Sequence, residues 1–273
     1  MTTIQERAAH FTALHDDLLV LPNCWDAGSA AVIEATGAPA LATSSAAVAW
    51  ALGRPDGNQL DRDTMLDALR RICAVATVPV SCDIESGFAS DDADLAETIA
   101  QVIETGVVGV NLEDQVDGTL LPIGDAARRV RVVREAATRA GVDAFYLNAR
   151  TDSYLLGRAD FADTVARAHA YLDAGASGIF VPGTADPEVV KRLTAAIPAP
   201  VNVLAGPGAP SVACLRAAGA RRISAGSSLA GAILGHLRRA TQQLLTDGTY
   251  DELAGGMSWA ELNALFEQSP PSP

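Results

Sequence analysis

Cysteine is scarce in this chain of 273 residues, and its thiols are not spaced as ligands. The four cysteines are scattered, and none stands in a CxxC pair: Cys24, Cys73, Cys82 and Cys214. Closely spaced pairs are typical of zinc sites, and a disulfide framework needs conserved-looking pairs in a secreted chain. The pattern therefore argues against both and predicts small, reduced core residues.

Long apolar runs are also lacking. No stretch reaches the roughly 18 apolar residues that a membrane helix needs. The first segment, MTTIQERAAHFTALHDDLLV, is polar and amphipathic and has no apolar centre of the signal-peptide type. We therefore expect a cytoplasmic protein that has no membrane partner.

Positive charge is the third shortage. Lys and Arg number 20 against 33 Asp and Glu, which leaves a net charge of −13, and no basic run concentrates positive charge. Nucleic acids and anionic membrane surfaces are bound by such runs, so both are excluded as expected partners. A small anionic substrate remains compatible with the sequence if a local cation or metal overrides the overall charge.

Glycine-rich dinucleotide motifs are absent, but another pattern recurs. No GxGxxG follows the first strand-like segment, which disfavours a dinucleotide-binding fold. Instead, helix-like stretches end in Ala-Gly or Thr-Gly and lead into a short apolar strand, as in IETGVVGVNLED and LDAGASGIFVPG. Eight strand segments are predicted, at residues 18–27, 34–45, 78–85, 103–114, 144–151, 172–183, 200–206 and 216–227.

Alternation of these strands with amphipathic helices predicts an α/β fold, a (β/α)8 TIM-type barrel. We expect residues 1–273 to form a single barrel domain with extra C-terminal helices from about residue 228. In such a barrel the reacting groups gather at the carboxyl ends of the strands.

Acidic residues stand at two neighbouring strand ends. SCDIESGF ends the third strand with Asp83 and Glu85, and NLEDQ ends the fourth with Glu113 and Asp114. Alternation places residues 83 and 85 on one strand face, and Arg150 ends the next strand. A lone strand-end carboxylate is often only a helix N-cap, but this grouping favours a site. Clustered carboxylate oxygens suit Mg²⁺, and an arginine suits a substrate carboxylate.

The order of several motifs resembles the isocitrate lyase/phosphoenolpyruvate mutase superfamily over roughly residues 5–245. They are CWDAGSA, ALATSSAAVAWALGRPDG, PVSCDIESGF, NLEDQ, NARTDSY and PVNVL. The resemblance implies a (β/α)8 barrel that binds Mg²⁺, or Mn²⁺ in its place, and a small anionic keto acid or its enolate. It also implies a homotetramer, a dimer of helix-swapped dimers.

The resemblance assigns roles to individual residues. The implied metal group is Asp83, which contacts the ion, with Glu85, Glu113 and Asp114 around its bound waters. The implied substrate-binding group is Ser44, Ser45, Asp83, Arg150 and Asn202. The implied catalytic group is Asp56, Arg150 and Glu113.

The chain departs from the better-known branches after the fourth strand. Residues 113–133 contain no Cys, Lys or His, whereas the lyases carry a loop cysteine there and the mutases a loop lysine. The proton donor is therefore open among Asp56, Asp117, Tyr154 and a metal-bound water, or the reaction needs none beyond solvent, as in a decarboxylation.

Three functional classes fit these residues. The first is a metal-dependent lyase that cleaves a C–C bond of a 2-methylisocitrate-like acid. The second is an oxaloacetate-type decarboxylase or hydrolase, or a phosphonopyruvate-type C–P bond enzyme. The third is a keto-acid binding protein without catalysis.

Overall fold

The computed structural model describes residues 3–267. Its strands are β1 Leu19–Leu21, β2 Asn23–Cys24, β3 Leu41–Thr43, β4 Val80–Asp83, β5 Gly109–Glu113, β6 Gln115–Val116, β7 Thr119–Leu120, β8 Tyr146–Arg150, β9 Gly178–Phe180, β10 Val201–Leu204 and β11 Arg222–Ser224. Its helices are α1 Ile4–Ala13, α2 Ala27–Ala35, α3 Ser45–Ala51, α4 Arg62–Val75, α5 Asp92–Glu104, α6 Ile123–Arg139, α7 Phe161–Asp173, α8 Pro187–Ala196, α9 Val212–Ala217, α10 Ser228–Thr246 and α11 Trp259–Glu267. Short 3₁₀ turns cover Leu14–Asp16 and Asp251–Leu253.

The main sheet closes into a barrel. Within residues 3–267, nine parallel strands follow the order β1-β11-β10-β9-β8-β5-β4-β3-β2. β1 and β2 stand at opposite ends of this order, yet only Pro22 separates them in the chain. Proline has no N–H to donate, so it interrupts one strand there. Counted as one strand, the two halves give an eight-stranded barrel, and the predicted fold is confirmed.

The glycine signal that located several strands has a structural cause. In the segments at residues 34–45, 103–114, 172–183 and 216–227, the glycine that ends the helix has a positive φ, for example 98° at Gly106. Glycine adopts this conformation without steric cost and lets the chain leave α5 and enter β5. The same geometry starts a strand after α2, α7 and α9.

The inside of the barrel is unusually polar. Barrels of this type are typically filled by layers of Val, Ile and Leu. Here, buried polar side chains occupy the strands instead, namely Ser81, Asn111, Tyr146, Asn148, Asn202, Arg222 and Ser224. The main apolar core lies largely between the strands and the surrounding helices, with residues such as Leu95, Ile99 and Val133.

Two helices follow the last strand. α10 begins at Ser228, and an apolar stripe on it remains solvent-exposed: Leu229, Ile233, Leu237 and Leu244. α11 folds back on α2 of the same chain, where Phe266 approaches Gly28. Among residues 3–267, no helix combines the length and apolar character needed to cross a membrane.

Candidate active site

A cavity of about 260 Å³ opens at the carboxyl ends of the barrel strands. Its lining includes Asn23, Thr43, Ser44, Ser45, Asp56, Asp83, Asn111, Arg150, Phe180 and Ser224. These residues come from most of the strands and from the loops that follow them. The structure therefore brings many of the sequence-predicted site residues to one place.

Arg150 is the central cation of this cavity. Its Nη1 lies 2.7 Å from Oε1 of Glu113 and 3.7 Å from Oδ2 of Asp83. Its Nε and Nη2 donate to the two carboxylate oxygens of Asp152, at 2.6 and 3.1 Å. Asp152 thus fixes the plane of the guanidinium. Burial lowers the pKa of Arg150, but the surrounding carboxylates outweigh it and raise that pKa above the usual value.

Asp83 ends β4 and is held from three sides. The backbone N–H of Glu85 donates to its Oδ1 at 3.1 Å, and the hydroxyl of Ser45 donates to its Oδ2 at 3.2 Å. The backbone N–H of Asp83 donates to Thr43 Oγ1 at 3.1 Å. Burial raises the pKa of the Asp83 carboxyl, against the lowering effect of Arg150.

Glu85 and Glu113 are buried carboxyls with altered acidity. Glu85 has a φ of 49° and accepts a hydrogen bond from the backbone N–H of Asn58. Burial raises the pKa of Glu85 to about 7. Glu113 accepts from Gln115 Nε2 at 2.6 Å, and burial raises its pKa to about 8 in spite of Arg150.

The carboxyls of Asp83, Glu85, Glu113 and Asp152 form an acidic rim at the cavity, near Arg150. Asp83, Glu113 and Asp152 all contact Arg150, and Glu85 lies farther from the guanidinium in the same group. Within residues 3–267, no three or more His, Cys, Asp or Glu side chains are preassembled as a metal cage. Mg²⁺ needs no such cage, because it keeps several waters and takes one or two carboxylates directly. The hard oxygen donors therefore fit a divalent cation.

The Ser44-Ser45 turn lies at the start of α3. Ser44 is its N-cap, and its hydroxyl oxygen accepts from the Ala47 N–H at 3.4 Å. Both serines line the cavity, and Ser45 is bonded to Asp83. The structure thus places this predicted pair beside the acidic rim.

Asp56 reaches the cavity from the loop between α3 and α4. Its side chain is exposed, in contrast to the carboxyls on the strands. Asn58 ties this loop to the rim, because its N–H donates to Glu85 and its Oδ1 accepts from the Ser86 hydroxyl at 3.1 Å. Asp56 is therefore an exposed carboxylate on the cavity wall.

Asp114 was predicted to belong to the metal group together with Glu113, but its side chain does not point into the acidic rim. Its Oδ2 accepts from the Tyr171 hydroxyl at 2.7 Å and lies 3.3 Å from Arg167 Nη1. Its Oδ1 accepts from the Asp152 N–H at 3.0 Å. As the neighbour of Glu113, it points to the opposite side of the chain, toward α7. Asp114 braces the backbone behind the cavity.

Asn202 lies beside the cavity lining, not within it. It is 1% exposed, and its Oδ1 accepts from the Ser224 hydroxyl at 3.3 Å. Ser224 and Leu204 line the cavity from these two strands. Asn202, which was predicted to bind the substrate, therefore does not line this cavity.

Two proposed proton donors also lie apart from the lining. Asp117 is exposed at the tip of the β6–β7 hairpin, with φ of 48°, next to Gly118 with φ of 74°. These two positive values are typical of a two-residue Asp-Gly hairpin turn. Tyr154 is outside the lining, whereas its neighbour Leu155 contributes to it.

Sequence reasoning missed several polar residues of the cavity. Asn111 lies two positions before Glu113 on β5, so strand alternation could have placed it on the same face. Asn23 gave no such signal. Its Oδ1 accepts from the N–H groups of Ala225 and Gly226, at 3.0 and 2.8 Å, and so ties the first strand to the loop after the last.

Comparison with known proteins agrees with this fold. Residues 11–245 match the family described as phosphoenolpyruvate phosphomutase. An uncharacterized protein of Mycobacterium tuberculosis is 36% identical over 249 residues, which is 90% of each chain. The 2-methylisocitrate lyase of Escherichia coli K12 is 30% identical over 185 residues, 64% of this chain and 61% of that enzyme.

Solved structures are similar over nearly the whole chain. A 2,3-dimethylmalate lyase has a TM-score of 0.85 at 26% identity, covering 95% of this chain and 94% of that one. A phosphonopyruvate hydrolase, solved with oxalate and Mg²⁺, has a TM-score of 0.85 at 21% identity, covering 96% and 95%. The latter likeness shows the fold alone. With the family match over most of its length, the chain belongs to the phosphoenolpyruvate phosphomutase family, within the isocitrate lyase/phosphoenolpyruvate mutase superfamily.

Proposed function

We propose that this protein is an Mg²⁺-dependent lyase that cleaves a C–C bond of a small 2-oxo or 2-hydroxy di- or tricarboxylic acid. The observation that carries the proposal is the group of carboxyls at the mouth of the barrel, in which Asp83, Glu113 and Asp152 contact Arg150 and Glu85 lies nearby. Two relatives, the 2-methylisocitrate and 2,3-dimethylmalate lyases by name, support a carbon–carbon lyase. The cavity volume of about 260 Å³ suits an acid of this size.

Asp83 would hold the divalent cation directly, and Glu85 and Glu113 would hold its waters, as the superfamily resemblance implies. The phosphonopyruvate hydrolase solved with Mg²⁺ supports this ion in the superfamily. When bound, such a cation supplies electrostatic stabilisation of the negative charge that develops on a substrate oxygen.

The substrate carboxylate would bind between Arg150 and the Ser44-Ser45 turn. Arg150 is already oriented, because Asp152 holds its Nε and Nη2 and Glu113 holds its Nη1. Because Arg150 is ordered before the substrate arrives, less entropy is lost in orienting this donor during the reaction. Besides holding a water of the cation, Glu113 would therefore position Arg150.

Asp56 is the side chain that we assign to proton transfer. Cleavage of a 2-hydroxy acid turns its C–OH into a ketone with loss of the hydroxyl proton and leaves the bonding pair on the other carbon as an enolate, so one proton must leave that oxygen and one must reach that carbon. Asp56 lines the cavity on a loop and is exposed, so it can exchange protons with solvent. Cys82 is an unsuitable donor, because it is fully buried and burial raises the pKa of its thiol well above the usual value.

A hydrolase or decarboxylase of the oxaloacetate type, or a phosphonopyruvate-type C–P bond enzyme, is the second candidate. The specific observation in its favour is the loop at residues 113–133, which contains no Cys, Lys or His. Attack by water, or loss of CO₂, needs no thiol from that loop. A keto-acid binding protein without catalysis is the third alternative.

A metal-controlled turnover screen separates these candidates. The purified protein is incubated with Mg²⁺, Mn²⁺ or EDTA and with 2-methylisocitrate, isocitrate, 2,3-dimethylmalate, oxaloacetate or phosphonopyruvate, and the keto-acid products are followed. The proposal expects turnover of a C–C substrate that stops with EDTA. Turnover of oxaloacetate or phosphonopyruvate alone would favour the second candidate, and binding without turnover would favour the third.

We also propose that the protein assembles as a homotetramer through α10. The stripe of Leu229, Ile233, Leu237 and Leu244 exposes apolar side chains, and Ile233 and Leu237 are each 58% exposed. A contiguous exposed apolar surface of this kind is typical of an interface. A second copy of the chain is the occupant that the superfamily resemblance implies.

A further inference from the structure

Asn111 occupies the cavity next to Asp83. The two residues are register partners on the adjacent strands β4 and β5. Asn111 is 5% exposed, and that small exposed part contributes to the cavity lining. Any ligand held at Asp83 therefore lies within reach of a buried amide.

Two hydrogen bonds from inside the barrel fix the orientation of the Asn111 amide. Arg222 Nη2 donates to Asn111 Oδ1 at 3.3 Å, and Asn148 Nδ2 donates to the same oxygen at 2.8 Å. A guanidinium has only donors, so the atom that it contacts must be the oxygen of the Asn111 amide. The Nδ2 group is then turned away from Arg222 and Asn148. In residues 3–267, this Nδ2 group donates to no protein acceptor.

Arg222 adds a positive charge next to the oxygen of the Asn111 amide. It is 1% exposed, and its Nε and Nη1 have no hydrogen-bond partner within the described part of the chain. Its guanidinium lies 5.9 Å from the ring centre of Phe11 and 6.0 Å from that of Tyr146. A buried cation of this kind favours negative charge in the neighbouring cavity more strongly than an exposed cation would.

We infer that Asn111 is a substrate-contacting residue whose Nδ2 donates a hydrogen bond to an anionic oxygen of a planar 2-oxo acid or its enolate. Asn148 and Arg222 are positioning residues that hold the amide in this orientation. The inference rests on the proposed function, because it requires that the cavity bind such acids. Charge-assisted hydrogen bonds are the stronger ones, so this donor selects an anionic oxygen over an apolar substituent.

Oxalate is the probe for this contact, because it is a planar dianion with the shape of an enolate of pyruvate. Its affinity is measured by calorimetry with Mg²⁺ for the wild type and for Asn111→Ser, Asn111→Asp and Asn148→Leu. Ser81→Ala is the control, since Ser81 is a buried polar residue on β4 that lies outside the cavity lining. Thermal unfolding establishes that each variant is folded.

Asn111→Ser introduces no charge and removes the Nδ2 donor. It is expected to weaken oxalate binding about tenfold, which is typical for loss of a hydrogen bond to a charged group. Asn111→Asp keeps an acceptor for Arg222 but replaces the donor, so it should weaken binding at least as much. Ser81→Ala should bind oxalate like the wild type. Wild-type affinity in a folded Asn111→Ser would overturn the contact.

A double-variant cycle tests the positioning roles. Asn148→Leu should weaken oxalate binding less than Asn111→Ser, and the combined variant should be no weaker than Asn111→Ser alone. Simple addition of the two losses would mean that Asn148 does not act through Asn111. If the wild type itself fails to bind oxalate, the proposed function fails and takes the inference with it. A wild type that binds with unaffected Asn111 variants overturns only the inference.

Discussion

At the scale of single residues, Arg150 shows why charge alone does not define the site. Arg150→Lys keeps the positive charge but loses the paired donors that face Asp152 and the reach to Glu113. We expect oxalate affinity, measured by calorimetry with Mg²⁺, to fall about tenfold or more. Arg70→Lys, at an exposed ion pair with Asp67, is the matched control and should bind normally. Equal affinities in both variants would contradict the role of the guanidinium fork.

Asp83→Asn tests the metal assignment without a change of shape. The wild type should gain thermal stability when Mg²⁺ is added, because a ligand that binds only the folded state stabilises it. The variant should lose this gain, since an amide is a weaker ligand for a hard cation. Asp67→Asn, at an exposed position, should keep it. A full Mg²⁺ response in Asp83→Asn would remove Asp83 from the site.

His15 makes the stability of the fold depend on pH. Its side chain is 4% exposed, stacks on Tyr146 and lies near Arg222. Burial lowers its pKa from 6.5 to about 3, with a further contribution from Arg222. Between these values the unfolded chain binds a proton that the folded chain does not. His15 therefore favours folding fully above about pH 6.5, and this contribution is lost progressively as the pH falls toward 3.

The measurement is urea unfolding at several pH values between 7 and 5. In the wild type, His15 should lower the free energy of unfolding by about 1 kcal/mol per pH unit of acidification below 6.5. His15→Gln should have a correspondingly shallower slope, whereas His10→Gln, at an exposed position, should keep the wild-type slope. Identical slopes in all three proteins would disprove the buried neutral state of His15.

Some of these residues could be predicted from the sequence, and others could not. Asp83 and Arg150 end their strands, and Ser45 closely follows one. The carboxyl ends of barrel strands meet at one rim, so the shared location of these residues was predictable. Asp114 was misplaced because its neighbour Glu113 occupies the inner face, and alternation turns the next side chain outward. The contact between Asn111 and Arg222 joins β5 to β11, and no local pattern indicates such a long-range pair.

At the scale of elements, the loop from β4 to α5 positions Glu85 through unusual backbone geometry. Glu85 and Phe88 have φ values of 49° and 50°, and Gly87 has a φ of 97°. A Cβ atom on Gly87 would lie 2.6 Å from Cδ1 of the buried Leu95. The loop therefore depends on glycine both for conformation and for space.

Gly87→Ala should accordingly lower the free energy of unfolding by about 1–3 kcal/mol and weaken Mg²⁺-dependent oxalate binding. Gly141→Ala is the control, since Gly141 has a φ of 77° but has no atom within 4 Å of the added Cβ. We expect a smaller loss there and normal binding. Urea midpoints and calorimetry report the two effects. Equal losses of stability would show that the clash with Leu95 does not matter.

Elements with a strong local signal were predicted well. The strands after Ala-Gly or Thr-Gly follow from the positive φ at helix ends, as Gly106 shows. The break at Pro22 and the β6–β7 hairpin were not predicted, although proline and the Asp117-Gly118 pair are local signals for them. The polar barrel interior was also not foreseen, because strand pattern shows which residues alternate but not which face is inside.

At the scale of the whole molecule, α10 presents the stripe that we assign to assembly. Ile233→Glu and Leu237→Glu place charge within it and should shift the protein from tetramer toward smaller species in light scattering coupled to size exclusion. Gln242→Glu adds the same charge on roughly the opposite side of α10, at 100° per residue, and should leave the assembly intact. A wild-type monomer, or unchanged assembly in the stripe variants, would contradict the proposed interface.

The central claim is that the rim around Arg150 binds a 2-oxo acid together with a divalent cation. Calorimetric titration of oxalate into the wild-type protein, first with Mg²⁺ and then with EDTA, tests it most directly. We expect saturable binding with Mg²⁺ and its loss with EDTA, because a dianion beside the Asp83 carboxyl is disfavoured unless a cation lies between them. Oxalate binding of equal strength in EDTA, or no binding in Mg²⁺, would contradict the account.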